Sequence, residues 1–133
     1  MYRILAPAGA FLVAAIALLA ALAFGGGAQE QALGDPGPLV RWGLPFAKLM
    51  VNVSAATMIG ALALALWAFT SREKAYFRSI DVAAGAALLL TLSSALTALL
   101  TFINVSMVPL SVDANFGQQL GFFLTQLELG QAW

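Results

Sequence analysis

The sequence predicts an all-α protein, an integral membrane helical bundle with three transmembrane helices and a C-terminal amphipathic or interfacial helix. Two observations carry this. Three long apolar runs are separated by short polar stretches, and each exceeds the ~18 residues that mark a membrane-span candidate. The balance of residue types agrees: 62% are hydrophobic and 9% charged, with a mean hydropathy of +0.92. Ordinary soluble domains hold ~45–50% apolar residues. The 133 residues form a single membrane domain, expected to be part of a larger polytopic protein.

The first span is placed at about residues 4–24. The triplet Gly25-Gly26-Gly27 ends it, because glycine is unfavourable inside a helix. A single Arg3 and the Ala21-Leu22-Ala23 triplet also fit a secretory signal. The run is longer than the ~7–15 residues of a signal's apolar region, which favours an uncleaved span. Next comes a loop to Gly43 carrying Asp35-Pro36-Gly37-Pro38, a strong turn signal, with Trp42 as an interfacial aromatic.

The second span is expected at about residues 44–69, entered through Pro45 in its first turn. A charged hairpin, residues 71–78, leads to the third span at about residues 79–103. Residues 104–116 form a polar-leaning loop. Residues 116–133 then read as an amphipathic segment or the start of a fourth span, with Leu120, Phe123, Leu124 and Leu127 at helical spacing.

Orientation follows from the basic residues. Arg3 and the Arg72, Lys74 and Arg78 hairpin share one side, and no Lys or Arg follows Ile103. The positive-inside rule then predicts a multi-pass membrane protein with a cytoplasmic N-terminus and an extracytoplasmic tail.

Chemistry is limited by what the chain lacks. It has no His and no Cys, so the usual imidazole bases, thiolates and soft-metal ligands are missing. Met50, Met58 and Met107 are too scattered to share an ion, so no metal, catalytic or cofactor-binding residue is expected and the chain is read as a non-enzyme. With a formal net charge of zero, no nucleic acid partner is expected.

The candidate residues are polar groups within the spans. Ser94, Thr97, Thr101 and Asn104 form one stripe of the third span, while Lys48 and Asn52 share a face of the second. Matching depths across an antiparallel pair is expected to place Asn52 by Thr97 and Lys48 by Thr101. Such an array serves as a polar pathway or as interhelical contacts. The expected partners are the lipid bilayer and further transmembrane helices, of the same protein or of another membrane subunit.

Three stretches carry a family resemblance. They are Asp35-Pro36-Gly37-Pro38-Leu39-Val40-Arg41-Trp42-Gly43-Leu44-Pro45, the pair Leu100-Thr101-Phe102-Ile103 and Val108-Pro109-Leu110-Ser111, and the segment from Phe116-Gly117-Gln118-Gln119-Leu120-Gly121 to Gly130-Gln131-Ala132-Trp133. They resemble the opening of actinobacterial copper-resistance D (CopD) proteins fused to a CtaG-like cytochrome c oxidase assembly domain. The resemblance implies copper uptake, tolerance or delivery towards oxidase assembly, with copper implied for the family and its ligands outside this chain. The alternative from composition alone is a small accessory structural subunit of a larger respiratory or transporter complex.

Overall fold

The computed structural model describes residues 2–27, 29, 35–107 and 113–128, with side chains from Gly9 onward. It has four helices, α1 (Tyr2–Phe24), α2 (Pro38–Trp67), α3 (Lys74–Ser106) and α4 (Ala114–Gln126), and no strand among the described residues. Both α2 and α3 are long and apolar enough to cross a membrane, whereas the described apolar part of α1, Gly9–Phe24, is shorter. The three predicted crossings are thus two helices of spanning length and one shorter apolar helix.

Helix α2 begins at Pro38, six residues before the expected start. The preceding turn explains this. Gly37 adopts φ 92°, a left-handed conformation that side chains rarely tolerate, and its N–H donates to Asp35 Oδ1 at 3.1 Å. Pro38 then occupies the first helical turn, where its missing N–H costs nothing. Pro45 therefore lies inside the helix and not at its entry. It has no N–H to donate to the carbonyl one turn back.

Helix α3 begins at Lys74, five residues before the expected start. The turn between α2 and α3 shrinks to residues 68–73, so the two helices must run antiparallel side by side. Their seam is built from small residues. On α2, Val40, Ala47, Ser54 and Ala61 recur at seven-residue spacing and all are buried. On α3, the buried Ala83, Ala86, Ser93, Thr97 and Leu100 follow the matching three-and-four rhythm, completed by half-buried Leu90. This is the heptad pattern that keeps a seam facing its partner. Small side chains let the backbones approach closely, which in lipid is what favours packing.

Helix α1 is peripheral. It leans on α2 through an edge-to-face contact of Phe11 with Phe46, centroids 6.4 Å apart, while Leu12, Val13, Ile16 and Leu19 are exposed.

Ser54 sits in the seam at 1% exposure, and its hydroxyl has no hydrogen-bond partner. Ser54→Ala is therefore expected to stabilise the α2–α3 pair by about 1 kcal/mol, by removing an unpaired buried group. Ser54→Leu should destabilise it by about 1–3 kcal/mol through overpacking. Denaturant titration in micelles, followed by helicity, measures both.

Candidate functional site

One end of the bundle holds an aromatic cluster. Phe102 of α3 lies between Phe116 and Phe123 of α4, with both ring centroids 5.4 Å away and interplanar angles of 80° and 59°. Val40, Ala47, Leu100 and Ile103 complete the buried cluster, with Leu44, Leu99 and Leu120 packed against it. The predicted amphipathic helix is present as Ala114–Gln126. Its apolar stripe of Phe116, Leu120 and Phe123 is turned onto the bundle. Beside this cluster, Arg41 Nε stands 3.4 Å from Asp35 Oδ1, with the two side chains 11% and 29% exposed. The pair ties the turn before α2 to the helix it starts. Helix α3 ends at Met107, which takes the left-handed cap conformation at φ 55°.

The hydroxyl stripe of α3 is divided between two environments. Thr97 and Thr101 are buried, at 0% and 8% exposure. Each donates to the carbonyl four residues back: Thr97 Oγ1 to Ser93 O and Thr101 Oγ1 to Thr97 O, both at 2.7 Å. Their single protons are satisfied within the helix, so they fill the seam by volume. Asn104 is half-buried near the C-terminal end of α3. Ser94 turns aside, lining with Thr91, Ala98, Leu120 and Leu124 an open groove of about 530 Å³ between α3 and α4.

Lys48 and Asn52 are exposed and take no part in the seam. The expected pairing of Asn52 with Thr97, and of Lys48 with Thr101, is wrong in register. A Cβ on Gly43 would lie 3.4 Å from Leu100 Cδ1, which fixes how far along α3 each residue of α2 reaches. Asn52 is then level with Thr91, and Lys48 with Ser94 and Ala95. The difference of about 9 Å, at ~1.5 Å per residue, comes from the early start of α3 together with the earlier end of α2 at Trp67.

The two sets still share a side. Counting about 100° per residue, Lys48 and Asn52 lie on the flank of α2 where Leu44 meets the aromatic cluster. Thr91 and Ser94 lie on the flank of α3 where Phe102 meets it. Phe46, which holds α1, is on the opposite flank.

The residues present do not fit a copper site. Met50 and Met58 are half-buried on α2, about 12 Å apart along the helix. Met107 is exposed beyond the end of α3. No group of three or more His, Cys, Asp or Glu residues converges among the described residues. Comparison with protein-family models, with curated proteins and with solved structures gave no match to this chain.

The residues that sequence reasoning missed are Ser54, Ser93 and the alanines of the seam. Their signal was the seven-residue spacing of small residues on α2, which a search for polar groups passes over.

Phe102→Ala should cost about 3–5 kcal/mol, since it removes the ring on which both α4 phenylalanines rest. Hydrogen exchange of α4 amides should then accelerate strongly while the half of the α2–α3 pair next to the 68–73 turn keeps its protection.

Proposed function

We propose that this chain is the membrane-embedded portion of a copper-handling protein, of the copper-resistance D kind joined to a CtaG-like oxidase assembly domain. The observation that supports this reading is a convergence. Val40 and Leu44, then Leu100, Phe102 and Ile103, then Phe116, Leu120 and Phe123 pack into one cluster. They come from the three separate stretches that carry the family resemblance. The three stretches thus meet at one end of the α2–α3 pair, where α4 docks.

In this reading the chain crosses the bilayer three times, with the N-terminus and the 68–73 turn in the cytoplasm and α4 on the outer surface. Trp42 and Trp67, both exposed on α2, stand about 37 Å apart along the helix. That separation matches a hydrocarbon core of ~30 Å with its two interfaces. Copper is cargo, and its ligands come from outside these residues, because the methionines here are dispersed and there is no His or Cys. The chain supplies the helical frame against which the copper-binding part is held.

Two tests follow. Single cysteines placed at Ser71 and Asn115 should react with a membrane-impermeant reagent from opposite faces, and reaction of both from outside would contradict the topology. In the source organism, chromosomal Phe102→Ala should shift the growth-limiting copper concentration several-fold while leaving that for zinc unchanged. Unchanged copper tolerance and oxidase activity, despite a destabilised α4, would leave the accessory-subunit reading in its place.

A further inference from the structure

Asn52 is exposed on α2 and makes no hydrogen bond among the described residues. It lies about 15 Å along the helix from Trp42, close to midway between the two tryptophans of α2. On the membrane reading proposed above, this is the depth at which lipid offers no hydrogen-bond partner. An amide left in hydrocarbon is costly, and amides in membrane helices find partners on neighbouring helices.

One turn nearer the outer surface, Lys48 is exposed on the same flank without an ion pair among the described residues. The described carboxylates cannot serve it. Asp35 is engaged with Arg41; Glu73 and Asp81 lie towards the far end of the pair, and Asp113 and Glu128 flank α4. On the same side of α3, Thr91 has committed its hydroxyl to Ala87 O at 3.0 Å. The flank is therefore a cation and an amide with nothing among the described residues to meet them, on the side of the bundle that carries the open groove of about 530 Å³ between α3 and α4.

We infer that this flank of α2 and α3 is the docking seat of a further transmembrane helix, one that carries a carboxylate at the depth of Lys48. The inference rests on the membrane reading. Charge complementarity selects the occupant. A second copy of this chain inserts in the same orientation, so a two-fold contact here would bring Lys48 against Lys48 and is disfavoured. Helix α1 is held on the opposite flank by Phe46. A lipid phosphate satisfies Lys48 by snorkelling but cannot reach Asn52 a turn deeper. Only a helix meets both.

The test uses the full chain in phosphatidylcholine vesicles with synthetic leucine–alanine transmembrane peptides as the probe, binding being read by energy transfer. The peptide with one Glu a turn inside the outer boundary should bind at least tenfold more tightly than the same peptide with Leu. Lys48→Met should bring the two within about twofold, and Asn52→Leu should weaken the Glu peptide several-fold. Thr57→Val, on the opposite flank with its hydroxyl already bonded to Val53 O, should change nothing.

Equal binding of the two peptides would overturn the inference, as would a Glu preference that survives Lys48→Met. So would a Lys48→Met effect confined to retention of phosphatidylglycerol when that lipid is added to the vesicles, which would assign the lysine to a lipid phosphate. Carbonate extraction of the same vesicles separates the causes. A chain retained in the membrane without Glu preference defeats this inference alone, whereas a chain released by carbonate defeats the membrane reading as well.

Discussion

The close approach of α2 and α3 is the constraint on which the rest depends. In lipid there is no hydrophobic gain from pressing two apolar helices together, so their association relies on packing. This chain meets that requirement with Ala47, Ser54 and Ala61 against Ala83, Ala86, Ser93 and Thr97, all buried and all small. The Thr97 and Ser93 hydroxyls are bonded within their own helix. Only volume is then asked of them, and the backbones come near enough for the turn of residues 68–73 to close. Large residues at these positions would separate the helices and move every residue on their flanks.

From that seam the aromatic end of the bundle follows. Fixing the pair sets Leu100, Phe102 and Ile103 beside Val40 and Leu44, and this produces a platform for α4. Helix α4 is 13 residues long, too short to be stable in isolation. Its docking depends on Phe116 and Phe123 gripping Phe102. Aromatic pairs in such edge and tilted arrangements add about 0.5–1.5 kcal/mol beyond the area they bury. The same arrangement leaves the Lys48 and Asn52 flank of α2 open, because α4 covers only the end of the bundle and α1 stands on the other side.

The helical class, the positions of α2 and α3 and the presence of α4 were legible in the sequence. They rest on long apolar runs, on breakers at Gly25-Gly26-Gly27 and Asp35-Pro36-Gly37-Pro38, and on the periodicity of Phe116, Leu120 and Phe123. The helix starts were not. Lys74, Tyr76 and Arg78 read as loop because hydropathy falls there, yet a helix can extend past its apolar part into polar surroundings. That displaces the predicted register by nearly two turns, about 9 Å, and sets Asn52 level with the wrong threonine. The faces failed for a different reason. Polar residues within a span suggest the contact, whereas the contact is made by the smallest side chains, and Lys48 and Asn52 face away from it. Whether a polar residue in a span turns inward depends on backbone separation, which no single residue reports.

The register of α2 against α3 is the most direct thing to measure. The chain has no native cysteine, so paired cysteines can be introduced without background. Gly43→Cys with Leu100→Cys should form a disulfide rapidly on mild oxidation in native membranes, while Asn52→Cys with Thr97→Cys should remain unlinked under the same conditions. Rapid linking of the second pair and failure of the first would contradict the small-residue seam, and with it the placement of the aromatic cluster and the open polar flank.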